Sequence, residues 1–180
     1  LFLGKDTHAL SEPAFANAIS VLIANGVNVV IQDDEGFTPT PVISRLIISH
    51  NNAHDENAIA DGLIITPSHN PPTDGGIKYN PPHGGPAEGD ITKQIEQRAN
   101  ELIKAALVDV KQVPYTQALQ SPLLSKQDFI EHYVSQLEQV IDMHAIAKAG
   151  VRIGVDPLGG SGIAYWPVIA KKYGININIV

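Results

Sequence analysis

Residues 1–31 have the sequence LFLGKDTHALSEPAFANAISVLIANGVNVVI, which predicts a buried strand, a helix and a second buried strand. Ser11 is placed to cap the helix, and Asn25-Gly26 is a helix-stop signal. The alternation of strands and helices continues further along the chain, which is typical of an α/β fold. The further predicted elements are a helix at 41–49, a strand at 61–66 and an amphipathic helix at 91–107 with Asp90 as its N-cap.

Residues 151–180 repeat the pattern of the opening stretch, with an apolar strand, a Gly-x-Asp turn, a helix, a glycine and a second strand. The segment 108–126 has no clear periodicity, and an amphipathic helix is predicted at 127–143. We therefore expect a three-layer α/β/α domain with a mixed, mostly parallel sheet over residues 1–107. A linker over 108–126 and the truncated start of a second, similar domain over 127–180 are expected to follow.

Composition narrows the class of function. The chain has 180 residues, 43% of them hydrophobic, and a formal net charge of −7 with only 12 Lys and Arg. Thinly spread basic residues argue against a nucleic-acid partner, and no apolar run approaches the ~18 residues that a membrane span needs. The absence of cysteine excludes disulfides and thiolate metal sites and fits a cytoplasmic enzyme.

Chemistry is predicted in the loop TPSHNPPTDGGIKYNPPHGG, residues 66–85, which follows the third strand. The ends of strands are where α/β folds place their sites. Prolines restrict the loop around Ser68, and Gly75-Gly76 allow a sharp reversal that returns Lys78 towards it. A hydroxyl on such a pre-ordered loop suits a nucleophile or a phosphoryl carrier. For any single Pro-Gly cluster, a tight turn with a cap-like serine is the simpler interpretation.

Two enzyme classes compete for Ser68. A serine hydrolase needs a general base beside the hydroxyl, often on a G-x-S-x-G elbow, and the elbow glycines are absent here. His69 is adjacent in an extended stretch, where neighbouring side chains point apart, so it is a poor base for Ser68. Phosphoryl transfer needs a carrier oxygen, cations and positioning, and Ser68 with Lys78 supplies two of these parts. The residues therefore favour phosphoryl transfer.

The stretch TPSHNPPTDGGIKYNPPHGGPA is similar to the active-site serine loop of the α-D-phosphohexomutases. The continuation DGGIKYNPP most resembles the bacterial phosphoglucomutase branch, as do GKDTHALSEPAF, GFTPTP and GVDPLGGSGIAYW. The resemblance implies an isomerase that interconverts glucose 1-phosphate and glucose 6-phosphate through a phosphoserine and a bound glucose 1,6-bisphosphate. It also implies four domains around a central cleft, a hexose phosphate as partner, and Mg²⁺ held by one phosphoserine oxygen and three aspartates.

Carried over residue by residue, the resemblance implies that Ser68 is the phosphoserine and supplies the one metal-ligand oxygen in this chain. Lys78 matches the lysine that acts as general acid/base or stabilises charge, and His69 and Asn70 fall in the substrate-binding loop around the phosphoryl group. Many relatives carry an arginine where this chain has His8, for which we expect a core or surface role. The remaining histidines with no ligand spacing are expected to be solvated, namely His50, His54, His132 and His144.

Parts of the family pattern are missing from the chain. The Gly/Ser-Gly-His-Arg-Gly loop and the D-x-D-x-D-R metal loop are absent, and DPLGGSG offers only Asp156. We expect DPLGGSG to be a tight strand-to-helix turn rather than an anion cradle, and the chain to be inactive alone and to bind Mg²⁺ weakly.

Three alternatives stay open at this point: a phosphomannomutase, a phosphoglucosamine mutase and a non-catalytic phosphosugar-binding module. The incomplete second domain is expected to expose an apolar face that is shielded by the first domain, that drives self-association, or that stays loose. The residues expected on that face are Ile163, Trp166, Ile169, Ile175, Ile177 and Ile179.

Overall fold

The computed structural model describes residues 1–180 and contains two sheets and seven helices. Two short 3₁₀ turns lie at Glu56–Ala58 and Leu137–Gln139. In chain order the elements are β1 (Phe2–Lys5), α1 (Ser11–Ala24), β2 (Val29–Gln32), α2 (Thr40–Ala53), β3 (Gly62–Ile65), β4 (Ile77–Asn80), α3 (Gly89–Lys104), α4 (Tyr115–Ala118), β5 (Leu124–Gln127), α5 (Phe129–Ser135), α6 (Met143–Lys148), β6 (Arg152–Val155), α7 (Tyr165–Tyr173) and β7 (Asn176–Ile179).

The larger sheet has five strands in the order β4-β3-β1-β2-β5. Every neighbouring pair is parallel except β3 with β4, so the predicted mixed, mostly parallel sheet is confirmed. Successive residues of β1 enter different cores, since side chains alternate across a strand. Leu3 packs in the cluster that contains Phe15 of α1, and Phe2 packs in the cluster that contains Val42 of α2.

Two strands lie where none was expected. β4 forms inside the predicted loop 66–85. β5 begins at the end of the predicted linker 108–126, extends one residue beyond it to Gln127, and pairs with β2 along its whole length. Both are four-residue edge strands with mostly exposed or half-exposed side chains, so they lack the apolar run that marks a central strand. The segment 108–126 is therefore not wholly a linker, because its last residues complete the first sheet.

Helix boundaries differ from the predictions for local reasons. The predicted helix 127–143 is shorter than expected: α5 ends at Ser135 and a 3₁₀ turn follows at Leu137–Gln139. A separate helix, α6, starts at Met143, where the side chain of Asp142 accepts a hydrogen bond from the N–H of Ala145. Ser11 does not cap α1, since its hydroxyl donates to Asp6 instead. The residue before α3 is Glu88 rather than Asp90, and the apolar stripe of α3 stays unburied.

The second sheet consists of β6 and β7, which are parallel, with α7 between them in sequence. We call the residues from β1 to α5 the first unit and those from β6 to β7 the second unit. Tyr165 and Ile175 of the second unit are buried in the same cluster as Val42 and Phe129 of the first unit. Of the apolar face expected to need cover, Trp166, Ile169, Ile175 and Ile177 line an apolar cavity of about 350 Å³ shared with α2 and α5, whereas Ile163 is exposed. The first unit thus covers much of that face.

None of the helices combines the length and the apolar character that crossing a membrane requires.

A polar cleft beside the serine loop

A polar cleft of about 450 Å³ lies at the carboxyl ends of β1 and β3. Fourteen residues line it and only two are hydrophobic, in contrast to the apolar cavity between the two units. Its walls come from the β1–α1 turn, the residues before α2, the serine loop with β4, and the turn after β6. The lining residues are Asp6, Thr7, His8, Thr38, Thr40, Ile64, Thr66, Ser68, His69, Lys78, Leu158, Gly159, Gly160 and Ser161.

Ser68 is exposed on the cleft, three residues after the end of β3. Its φ of 69° lies in the left-handed region, which costs a non-glycine residue about 1–3 kcal/mol unless the surroundings hold it. The buried Thr66 supplies that restraint, because its Oγ1 accepts a hydrogen bond from the Ser68 N–H at 2.9 Å. The hydroxyl of Ser68 is thereby presented from a conformation fixed by its own neighbour.

Lys78 reaches the same cleft from β4. The reversal predicted at Gly75-Gly76 is present, and it pairs β4 antiparallel with β3 so that Lys78 lies opposite Ile64. The reversal is tight: a Cβ on Gly76 would lie 2.6 Å from the carbonyl oxygen of Thr66 and 2.8 Å from Cα of Pro67. Glycine at position 76 therefore lets the start of β4 pass directly against the serine loop.

The other two predicted site residues of the loop, His69 and Asn70, differ in position. His69 lines the cleft, whereas Asn70 does not. The side-chain amide of Asn70 donates to Asp74 Oδ2 at 3.1 Å, within the loop, and its main-chain carbonyl accepts a hydrogen bond from Nε2 of His8 at 2.9 Å. The structure thus brings Ser68, His69 and Lys78 together and gives Asn70 contacts inside the loop instead.

His8 is the main residue that the sequence analysis missed. A core or surface role was expected, but His8 lines the cleft, and its Nδ1 lies 2.7 Å from Oδ2 of Asp6. Asp6 is buried and also accepts hydrogen bonds from the Ser11 hydroxyl and from the His8 N–H. Burial alone would raise the pKa of Asp6, but the hydrogen bonds from Ser11, Thr66 and His8 outweigh it and lower the pKa below the ordinary value.

The remaining histidines are only partly as expected. The rings of His50 and His54 stack at 4.0 Å between centroids, and the edge of His50 also meets Phe2. His132 is half-buried, and burial together with the charge of Arg45 lowers its pKa. His54 is exposed, but its Nδ1 also lies 2.7 Å from the carbonyl oxygen of His50, so simple solvation describes only the exposed His144.

Several hydroxyl-bearing residues of the cleft were also missed. Thr38 borders the cleft but is buried, and its Oγ1 is enclosed by protein without a hydrogen-bond partner. The turn after β6 brings Leu158, with φ of 51°, and Ser161 to the opposite wall, so DPLGGSG is a tight turn that also borders the cleft. Spacing along the chain did not reveal these residues, although GFTPTP and DPLGGSG contain them.

The charges in the cleft favour an anion of limited size. Lys78 supplies positive charge, the pKa of His8 is raised by its hydrogen bond to Asn70 and then by Asp6, and the one lining carboxylate, Asp6, is already engaged by Ser11 and His8. A divalent metal does not fit the side chains alone, because no three His, Asp or Glu residues are grouped as ligands. The cleft can therefore hold a phosphoryl group by cations and hydroxyls, and Ser68 is the only metal-ligand position that the sequence suggested.

The fold and the serine loop agree with a known family. The family model described as phosphoglucomutase/phosphomannomutase, alpha/beta/alpha domain I, matches residues 1–106. The chain belongs to the phosphoglucomutase/phosphomannomutase family.

Individual relatives share this similarity over the whole chain. A phosphoglucomutase of Komagataeibacter xylinus is 52% identical over 180 residues, which is 100% of this chain and 32% of that protein. A phosphoglucomutase/phosphomannomutase of Thermococcus kodakarensis is 29% identical over 97% of this chain and 34% of that protein. The solved structure of the open form of parafusin, a phosphoglucomutase from Paramecium, matches with a TM-score of 0.75. The match covers 98% of this chain and 35% of the parafusin chain, and the sequence identity is 21%, so it supports the fold alone. The chain spans about a third of the length of the curated relatives it matches.

Proposed function

We propose that the protein containing this chain is a phosphohexomutase of the phosphoglucomutase type and that Ser68 carries the phosphoryl group. The observation that supports this most directly is the meeting of Ser68 and Lys78 on one polar cleft, although they arrive on antiparallel segments. The preference for glucose phosphates rests on the 52% identity to a phosphoglucomutase. Other hexose phosphates, including those of a phosphomannomutase or a phosphoglucosamine mutase, are outcomes of the test described below.

Three residues of the cleft, Ser68, Lys78 and His69, have a chemical part in this proposal. The P–O bond to Ser68 Oγ breaks as a new P–O bond forms to a hydroxyl of the sugar monophosphate, and the proton of that hydroxyl is passed to a base. Lys78 is the residue we assign to proton transfer or to stabilising the charge that spreads over the phosphoryl oxygens. The bisphosphate formed then returns its other phosphoryl group: the P–O bond to the sugar breaks as a P–O bond to Ser68 Oγ forms, and the sugar oxygen takes back a proton, which completes the isomerisation. His69, which lines the cleft, contacts the phosphoryl group as a donor.

This chain does not provide a complete set of metal ligands. In the family, Mg²⁺ is the cofactor, and here only a phosphoryl oxygen on Ser68 is assigned to it. Because no carboxylate cluster stands beside Ser68, we propose that the other ligands come from residues outside these 180. The chain alone is expected to lack turnover. We place the protein in the cytoplasm, as the name of its relative from Mesembryanthemum crystallinum states for that protein.

Mutase assays with Ser68→Ala test the proposal. Removal of the carrier oxygen should lower turnover of glucose 1-phosphate by at least about 10³-fold, since the covalent route is lost. Ser135→Ala is the matched control, because its hydroxyl donates to His132 of the same helix and lies outside the cleft. In parallel, labelled phosphate from the substrate should stay on the wild-type protein and not on Ser68→Ala.

The outcomes separate the candidate functions. Turnover near that of the wild type in Ser68→Ala would refute the carrier assignment. Faster turnover of mannose or glucosamine phosphates than of glucose phosphates would transfer the protein to those branches. Binding of sugar phosphates without labelling or turnover would show a non-catalytic binding module.

A further inference from the structure

Both ring nitrogens of His8 face oxygen atoms that accept hydrogen bonds. Nδ1 lies 2.7 Å from Oδ2 of Asp6, and Nε2 lies 2.9 Å from the main-chain oxygen of Asn70. A neutral imidazole has one N–H and one bare nitrogen, so it can donate in only one of these directions. The carbonyl oxygen of Asn70 has no proton to offer, so Nε2 must be the donor there.

The other nitrogen is a donor as well, because Asp6 is ionised. Its carboxylate accepts from the Ser11 hydroxyl and from the main-chain N–H of His8, and these contacts favour the charged form. With an ionised carboxylate on one side and a carbonyl on the other, donation by both nitrogens requires the doubly protonated ring. The raised pKa of His8, caused first by the hydrogen bond to Asn70 and then by Asp6, agrees with this geometry.

We propose that His8 is a positioning residue for the serine loop, an imidazolium that ties the loop at Asn70 to the Asp6 carboxylate after β1. The tie spans 62 residues of sequence and joins the loop to a rigid part of the sheet, where the Asp6 N–H donates to the carbonyl of Ile65 in β3. The His8 side chain is only 13% exposed, and its contact with Asp6 is partly buried, whereas its contact with Asn70 lies at the exposed end of the ring. The consequence for Ser68 rests on the proposed function, since it matters only if Ser68 carries the phosphoryl group.

The charged neighbours of His8 are consistent with this role. The negative charges of Asp6 and Asp74 favour the protonated ring of His8. Lys78 and His69 line the same cleft as His8. Both N–H groups of the ring are committed to protein acceptors, so His8 has no free proton to give to a substrate. His8 therefore acts through the loop and adds a fixed positive charge near the phosphoryl position.

Nuclear magnetic resonance of protein with ¹⁵N-labelled histidine tests the protonation directly. We expect both ring nitrogens of His8 to carry protons at pH 7, with a titration midpoint above the ordinary 6.5. His144, which is exposed on α6, is the internal reference against which the His8 signals are compared. In His8→Asn, amide exchange at Ser68, His69 and Asn70 should become at least about tenfold faster. A neutral His8 ring at pH 7, or unchanged exchange in the loop, would overturn the proposal.

Kinetics of the mutase test the consequence for Ser68. His8→Asn keeps a donor for Asp6 but is too short to reach Asn70, so kcat should fall about 10- to 100-fold while KM changes by less than about threefold. His8→Arg has donors for both acceptors and a permanent charge, and it should recover kcat to within about fivefold of wild type. His144→Gln should match the wild type.

The two proposals fail in different ways. An unaltered kcat in His8→Asn, or equal losses in His8→Asn and His8→Arg, would reject the role of His8 if Ser68→Ala is inactive. If Ser68→Ala stays active, the carrier assignment fails, and the ring protonation and loop exchange still decide whether His8 ties the loop.

Discussion

The substitution Gly76→Ala should damage both the stability and the activity of the protein, because it forces the start of β4 away from the serine loop. A Cβ at position 76 would lie 2.6 Å from the Thr66 oxygen, whereas ordinary contact begins at 3.4 Å, so the backbone must move by about 0.8 Å. The obstructing atoms belong to the main chain of Thr66 and Pro67 and have no rotamer by which to escape. Neither Gly76 nor Gly75 has a positive φ, so the effect is one of space and not of backbone conformation.

The magnitude follows from the size of this shift. Overpacking of this kind costs about 1–3 kcal/mol in unfolding free energy, and a chain of this length loses about 2–4 °C in Tm per kcal/mol. A displacement near 1 Å beside the reacting group lowers rates by up to about 100-fold, so kcat should fall about 10- to 100-fold.

Thermal unfolding and mutase assays measure the two effects, with Gly75→Ala as the matched control. A Cβ on Gly75 meets only the side chain of Leu10, at 3.4 Å, so this variant should behave as wild type within about 0.5 kcal/mol. Wild-type kcat and Tm in Gly76→Ala would refute the argument, and so would equal losses in the two variants.

Two further predictions concern the sheet and its helices. Phe129→Ala should cost about 3–5 kcal/mol of unfolding free energy by urea titration, because Phe129 is fully buried and meets Phe2 edge-on at 6.0 Å. Phe37→Ala, at a residue 40% exposed, should cost far less, and equal costs would contradict the assignment of the core. The hydrogen bond from Lys126 lowers the pKa of Glu35, although burial acts in the opposite direction. The pair therefore stabilises the fold above pH 4.5, and this contribution is lost as the pH falls through the lowered pKa of Glu35. Lys126→Met should therefore lose at most about 1 kcal/mol at pH 7 and progressively less below pH 4.5, whereas a loss independent of pH would argue against the pair.

The central part of the fold was predictable because burial leaves a pattern in the sequence. β1, β2 and β3 are continuous apolar runs, since parallel central strands are covered on both faces. The edge strands β4 and β5 carry no such run, because one side of each meets solvent and their pairing depends on the neighbouring strand. Helix α3 has the predicted apolar periodicity, but none of its residues is buried. The pattern alone therefore does not indicate what, if anything, packs against that face.

The candidate site was predictable where one loop contains its parts. Ser68, His69 and Lys78 lie within eleven residues, and the reversal at Gly75-Gly76 follows from local chemistry. The hydrogen bond from His8 to Asn70 joins residues that are 62 positions apart, so the local spacing of residues does not predict it. The cleft residues from the turn after β6 were missed for the same reason, because only the packing of the second unit brings them there.

The position of β5 in the sheet has a consequence for how the chain is made. Val29 of β2 pairs with Leu124 of β5, 95 residues later, so during synthesis the outer edge of β2 waits for its partner. At about 5–20 residues per second, that wait lasts about 5–20 s, during which a strand with open hydrogen-bonding groups can pair with another nascent chain. Slower synthesis between residues 32 and 124 should therefore favour association with chaperones or aggregation, although it changes no contact of the finished fold.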